Sequence, residues 1–187
     1  MLYEGYSSVS QTISELSAIG APTRPLWGVL GIAYEVLIFA FALGVCVSAG
    51  RNRSLRVVGG LMLAYGALGF VWPFASMHQR EALAAGGGTL ADTMHIVLGM
   101  VTVLLYLLAL GFGAAAFGKR FRIYSIATMV ILVAFGALMG LDGPRIAANL
   151  PTPWVGVWER ICIGVFLLWV VVLAITLLRA KDSAAPR

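Results

Sequence analysis

The residues of this sequence with the clearest capacity for chemistry are its two histidines and the carboxylates near them. His78 lies in the polar stretch 76–91, and Asp92 and His95 begin the long apolar segment 92–117 that follows. Because Asp92 and His95 are three positions apart, they share one face of a helix. Two imidazoles and a carboxylate are ligands that zinc accepts, so His78, Asp92 and His95 are candidate metal ligands.

In this interpretation the protein is a membrane-embedded, metal-dependent hydrolase. Glu35 or Glu159 would act as the general base on a metal-bound water. The pattern has low specificity, because the chain contains only 2 histidines and no HExxH motif. The competing interpretation gives His78, Asp92 and His95 a structural role, in which hydrogen bonds fix the loop. Zinc is therefore kept as an alternative only, and no cofactor is predicted.

Glu35 is a second candidate because it lies inside an apolar segment, 26–49. On a helix it would lie about 13 Å from the start of that segment, at about 1.5 Å per residue. Carboxylates at such depth are costly and face a bundle interior or a wet cavity. Two interpretations stay open: a protonated Glu35 that joins two helices by a hydrogen bond, or a group that binds a ligand or handles protons.

A third group of candidates consists of Arg80, Glu159 and Arg160, which flank apolar segments. Glu159 and Arg160 are adjacent, so they point apart on a helix and need different partners. The expected partners are Arg80 or Arg145 for Glu159, and Asp92 or Glu35 for Arg160. The group either clamps loops together or lines a binding pocket. The complete set of candidate pocket residues is Glu35, His78, Arg80, Asp92, His95, Glu159 and Arg160.

The elements that must position these residues are apolar helices. Hydrophobic residues make up 60% of the chain and charged residues 11%, and the mean hydropathy is +0.94. Soluble domains carry about twice this share of charge. The formal charge of +5 does not indicate nucleic acid as a partner, because the basic residues lie in short loops beside apolar segments. The predicted partner is the lipid bilayer.

Five segments are each close to the roughly 20 residues that cross a bilayer as a helix. They are residues 26–49, 55–75, 92–117, 121–141 and 158–178. The third carries a narrow polar stripe, which should face other helices because polar groups facing hydrocarbon go unsatisfied. The stripe consists of Asp92, His95, Gly99, Thr102 and Tyr106. The predicted fold class is an all-α integral membrane bundle of five transmembrane helices.

The first 25 residues are mixed in character. Val9, Ile13 and Leu16 are spaced for one helical face, and Thr12 and Glu15 are placed for a weak capping box. This spacing predicts a short amphipathic helix at the membrane surface. The predicted organisation is an extracytoplasmic segment at 1–25, a transmembrane bundle at 26–181 and a cytoplasmic tail at 182–187.

The basic residues predict the orientation. Nine of the 13 lie on one side of the predicted spans: Arg51, Arg53, Arg56, Lys119, Arg120, Arg122, Arg179, Lys181 and Arg187. The positive-inside rule places this side in the cytoplasm. The predicted location is the inner (plasma) membrane, with the amino terminus on its outer side and the carboxyl terminus in the cytoplasm. Six of the 8 acidic residues fall on the outer side, so any site is expected to open outward.

Six short motifs occur together and in order along nearly the whole chain. They are ISEL at 13–16, WP at 72–73, MHQR at 77–80, DTMH at 92–95, FRIYS at 121–125 and PTPWVGVWER at 151–160. This combination resembles the bacterial membrane family catalogued as domain of unknown function 998. The resemblance implies a membrane location and a helical fold, and it implies no activity.

Members of that family resemble proteins of about six spans, with a helix ahead of the ISEL motif. The sequence begins after the position of that helix, so the resemblance implies a six-span pattern with the first helix missing. An external amino terminus without an obvious signal agrees with this expectation.

The leading functional hypothesis is a multi-pass bacterial inner-membrane protein with an outward-facing polar pocket. The pocket would bind a lipid headgroup, a small polar ligand or a partner protein. The metal-dependent hydrolase is the first alternative, and a small-solute or proton-coupled transporter is the second. Transport ranks lowest because only Pro73 interrupts a predicted span and no internal repeat is visible. The sequence does not predict an oligomeric state.

Overall fold

A computed structural model describes residues 2–184 of the chain, and this part is helical. Its six α-helices are α1 (Arg24–Ser48), α2 (Arg53–Gly69), α3 (Arg80–Ala84), α4 (Leu90–Ala116), α5 (Lys119–Ala147) and α6 (Val155–Ala184). Two 3-10 turns, Ser14–Ser17 and Trp72–Ala75, lie outside the α-helices. Of the predicted tail at 182–187, residues 182–184 continue α6 and residues 185–187 lie outside the described part.

Of the six α-helices in the described residues, four are long and apolar enough to cross a membrane: α1, α4, α5 and α6, the last over Val155–Ala180. Many of their large apolar side chains are exposed, for example Val29 at 68% and Val130 at 63%. Exposed apolar surface of this extent suits contact with lipid rather than water. The prediction of an all-helical membrane protein is therefore confirmed.

The α-helix at the predicted span 55–75 is shorter than predicted. α2 has 17 residues, or about 26 Å of helix, against a hydrocarbon core of about 30 Å. The α-helix ends at Gly69, and Trp72–Ala75 forms a 3-10 turn that contains Pro73. Proline has no backbone N–H and cannot continue the hydrogen bonding of an α-helix, so it explains this early end.

Each long helix packs against the next long helix along the chain: α1 on α2, α2 on α4, α4 on α5 and α5 on α6. The short α3 is not part of this series. The fully buried Trp169 and Phe166 of α6 anchor the interior. Phe166 stacks on Tyr106 of α4 with ring centroids 3.5 Å apart. Trp169 donates from Nε1 to Ser125 Oγ of α5 at 2.9 Å, and its ring occupies the space that a Cβ at Gly113 would fill. A small residue on α4 therefore lets α6 approach closely.

The segments at one end of the bundle fold over it as a cap, which we define as residues 2–23, 76–89 and 148–154. Ile19 donates its N–H to the carbonyl of Met77 at 2.8 Å, which joins the first two segments. Gly156 at the start of α6 donates to the carbonyl of Val9 at 3.0 Å. The cap thus connects the amino-terminal segment with both later loops.

The predicted amphipathic helix of residues 1–25 is wrong. Ahead of α1, the described residues 2–23 contain one 3-10 turn, Ser14–Ser17, and no α-helix, and Glu15 is 3% exposed. An amphipathic helix would hold this carboxylate on its polar face. Here the carboxylate points into the cap toward an arginine, and this long-range contact outweighs the local helical spacing of Val9, Ile13 and Leu16.

Candidate functional site

An ion pair between Glu15 and Arg80 forms the centre of the cap. Arg80 begins α3, and its Nε lies 2.6 Å from Oε1 of Glu15 while an Nη lies 2.8 Å from Oε2. Both residues are buried, because Glu15 is 3% exposed and Arg80 is 7% exposed. Such two-point pairing fixes the orientation of the planar guanidinium as well as its position. The pair therefore ties the amino-terminal segment to α3.

The remaining N–H groups of Arg80 reach the other cap segments. They donate to Thr152 Oγ1 at 2.7 Å, to the carbonyl of Ser10 at 3.1 Å and to the carbonyl of Leu150 at 3.5 Å. An arginine has five N–H donors, and all five are used here. Arg80 thus joins three segments of the cap and has no donor left for a ligand.

Glu15 accepts several hydrogen bonds besides those of Arg80. The N–H of Thr12 donates to it at 2.7 Å, the hydroxyl of Thr12 at 3.0 Å and Nε2 of Gln11 at 3.2 Å. Burial alone would raise the pKa of Glu15, but the hydrogen bonds from Arg80 and Thr12 and the charge of Arg80 together lower it below its ordinary value. Glu15 is therefore held as a carboxylate.

Glu159 and Arg160 of α6 both bind the amino-terminal segment. Glu159 accepts hydrogen bonds from the N–H of Ile13 and, at 3.3 Å, from the hydroxyl of Ser14. Arg160 donates to the carbonyl of Ser8 at 2.7 Å and to the Tyr6 hydroxyl at 2.7 Å. The expected pairings were different and are wrong: Arg80 or Arg145 for Glu159, and Asp92 or Glu35 for Arg160.

His78 and Asp92 form a contact of their own at the start of α4. His78 Nδ1 lies 2.8 Å from Oδ2 of Asp92, and the His78 N–H donates to Oδ1 at 2.7 Å. Asp92 also accepts the N–H of Thr89 at 2.8 Å, which completes a capping box at this helix end. This arrangement matches the structural interpretation of the loop.

His95 faces a different neighbour. Its Nδ1 donates to the carbonyl of Ala75 at 2.9 Å, and its ring packs edge-on against Trp72, 4.9 Å between centroids. Among the side chains of residues 2–180, no three from His, Cys, Asp or Glu are grouped so that they could hold a metal ion. The metal site at His78, Asp92 and His95 remains a sequence prediction without a matching geometry in this part of the chain.

Glu35 lies apart from the cap, on α1 within the bundle. Its carboxyl group packs against Gly69 of α2, where any larger residue would collide with it. Its Oε2 is buried without a hydrogen-bond partner in the described structure. The neighbouring Tyr34 begins a chain of hydroxyl groups that continues through Tyr65 to Tyr106, with O–O distances of 2.8 Å at both steps.

A cavity of about 340 Å³ opens above the ion pair, and we call it the cap pocket. Its polar lining includes Gln11, Arg80, Glu81, Asn149 and Thr152. Glu81 and Asn149 are exposed, and Asn149 has a positive φ of 51°. Asparagine tolerates this left-handed backbone better than most residues, because its short side chain bonds locally.

The seven predicted pocket residues do not meet in one place. Arg80 alone lines the cap pocket, while the other six make the separate contacts described above. Sequence reasoning missed Gln11, Glu81, Asn149 and Thr152 as lining residues. It also missed Glu15 as the partner of Arg80, although the spacing of Thr12 and Glu15 signalled their local contact.

The fold and the cap together define a helical membrane protein with several apolar helices and a folded polar cap at one end. The chain belongs to the family described as "Protein of unknown function (DUF998)", whose model matches residues 1–176. This confirms the family to which the sequence motifs pointed. No curated protein and no solved structure matches the chain.

Proposed function

We propose that the protein is a five-span protein of the bacterial inner membrane that binds a small polar ligand in the cap pocket. The observation that supports this most is the cavity itself, which is built on a fully hydrogen-bonded ion pair. Its volume of about 340 Å³ falls within the range of ligand sites, roughly 300–1,000 Å³. Because hydrogen bonds hold this ion pair in place before a ligand binds, less conformational entropy is lost on binding.

The proposed topology counts α2 together with the turn Trp72–Ala75 as the second span. The turns at the end of the bundle opposite the cap, which carry Arg51, Arg53 and Lys119, then lie in the cytoplasm. The cap lies on the outer side of the membrane. In this orientation the cap pocket opens at the depth of the outer headgroups, where a lipid headgroup can enter it from the membrane.

The charges of the cap pocket favour a ligand that carries an amine. Glu15 and Arg80 neutralise each other, which leaves the exposed carboxylate of Glu81 as the remaining charged side chain among the lining residues. The side chains of Gln11 and Asn149 supply amide groups that can donate or accept. We propose that the ligand is the amine-bearing headgroup of a phospholipid such as phosphatidylethanolamine.

Thermal unfolding of the purified full chain tests this proposal, with short-chain phosphatidylethanolamine as the probe. The probe should raise the unfolding midpoint of the parent protein, because binding to the folded state alone stabilises it. Glu81→Gln should reduce this shift, and Glu4→Gln should not, since Glu4 is exposed and lies outside the pocket lining. Equal shifts in all three proteins would refute the role of the pocket.

A second candidate function, proton-coupled transport, is supported by Glu35. An unpaired carboxyl oxygen inside a membrane bundle is costly, and such acids often serve proton or ion movement. The hydroxyl chain of Tyr34, Tyr65 and Tyr106 provides polar groups at the same place. Proteoliposomes with an internal pH dye test this candidate: Glu35→Gln should abolish proton flux if transport is the function, and absent flux in the parent protein would reject it.

A further inference from the structure

A second cavity in the described structure lies at the end of the bundle opposite the cap, between α5 and α6. Its volume is about 540 Å³. Aromatic and apolar side chains form most of its wall, with Phe117, Phe121 and Tyr124 on one side. Lys119 and Arg120 also line this cavity, and both are exposed. The cavity therefore combines an apolar interior with two cations.

The surroundings of this cavity are basic as well. Asn52, in the turn between α1 and α2, donates from Nδ2 to the carbonyl of Ala116 at 2.8 Å. This hydrogen bond holds the turn that carries Arg51 and Arg53 beside the turn that carries the cavity. The stretches 49–56 and 116–122 contain no acidic residue. An anion is therefore the complementary ligand at this end of the molecule.

Apolar surface continues from the cavity along the membrane-facing side of α5. Ile123 is 57% exposed, and Ile126 and Val130 are also exposed. On α6, Leu168 and Val171 are exposed next to Val172 of the cavity wall, toward the middle of the helix. An acyl chain could lie along this surface while a charged group remains at the end of the helices, which is the arrangement that a bilayer imposes on a phospholipid.

We propose that this cavity is a binding site for an anionic phospholipid. Lys119 and Arg120 pair with the headgroup phosphate, and one acyl chain packs on Phe121, Tyr124 and Val172. Gly118, at the N-cap of α5, has no side chain to cap the helix, so the first N–H groups of α5 face the same anion. The site is independent of the cap pocket, because it lies at the opposite end of α4 and shares no residue with it.

Lipid titration of the full chain in a neutral detergent tests the proposal, with phosphatidylglycerol compared against phosphatidylcholine. The parent protein should bind phosphatidylglycerol more tightly. The double variant K119Q/R120Q should weaken that affinity roughly thirtyfold, because each cation near an anionic lipid contributes about a factor of five. The control R51Q/R53Q removes the same charge from the neighbouring turn, outside the cavity, and should retain most of the affinity.

A second variant, V172F, fills the cavity and leaves both cations in place, so it should also weaken binding. The unfolding midpoint of each variant in lipid-free detergent confirms that it folds. Equal affinities for the two lipids would overturn the proposal. So would equal losses in K119Q/R120Q and R51Q/R53Q, which would indicate general charge attraction. Full competition by inorganic phosphate would assign the site to a free anion and reject the lipid.

Discussion

Arg80 and Glu15 lie 65 positions apart in the sequence, yet their side chains form a two-point ion pair buried beneath the cap pocket. The pair joins the amino-terminal segment to α3, and Thr152 and Ser10 accept further hydrogen bonds from Arg80. Because every donor of the guanidinium is used inside the protein, the arginine acts as a structural centre. The residues that contact the ligand in the proposed site are therefore Gln11, Glu81 and Asn149, which lie around Arg80 in the lining of the cap pocket.

Loss of Arg80 should destabilise the protein strongly. Arg80→Ala would leave the Glu15 carboxylate buried without its counter-charge, a change that costs about 3–5 kcal/mol. Chemical unfolding in detergent measures the effect, and Arg24→Ala serves as the control because Arg24 is exposed at the start of α1. Similar unfolding free energies for the two variants would contradict the structural role of Arg80.

The stability of the cap should fall in acid because of Glu15. Its pKa in the folded protein is below its ordinary value of 4.5, so its contribution is fully present above about pH 4.5. The contribution is lost as the pH falls below this value and through the lowered pKa. Unfolding midpoints between pH 7 and pH 3 check this, and Glu15→Gln should flatten the acid side of the profile. An unchanged profile in that variant would assign the acid sensitivity to another group.

Gly69 should tolerate no side chain while Glu35 is present. A Cβ at Gly69 would collide with the Glu35 carboxyl group, so Gly69→Ala should cost about 1–3 kcal/mol. Gly60→Ala is the matched control, because open space surrounds Gly60 on the same helix. In a double-mutant cycle, Glu35→Ala should relieve part of the cost of Gly69→Ala. Strictly additive effects would show that the two residues do not touch.

The metal-site prediction can be decided by elemental analysis of the purified protein. His95 is engaged with Ala75 and Trp72, while His78 is engaged with Asp92, so we expect no stoichiometric metal. About one zinc per chain that is lost in His95→Ala would contradict this expectation. It would also make the metal-dependent hydrolase, so far the first alternative, the leading function.

The sequence predicts the long helices well, because an uninterrupted apolar run of span length allows few other structures. It predicts the cap poorly. Neither the pairing of Glu15 with Arg80 nor that of Glu159 with Ile13 follows any short periodicity. Local spacing favoured a helix at residues 9–16, while the burial of one carboxylate against a distant arginine decided the actual conformation. The end of α2 was predictable in principle from Pro73, whose missing N–H limits the helix.

Native mass spectrometry of the full chain with phosphatidylethanolamine tests the central proposal, the cap pocket, most directly. The parent protein should retain one such lipid per chain in a neutral detergent. Glu81→Gln should lose this lipid, and K119Q/R120Q, altered at the opposite end, should keep it. If Glu81→Gln keeps the lipid and K119Q/R120Q loses it, the proposal of a headgroup site in the cap is contradicted. The lipid would then bind at the end of the bundle that carries Lys119 and Arg120.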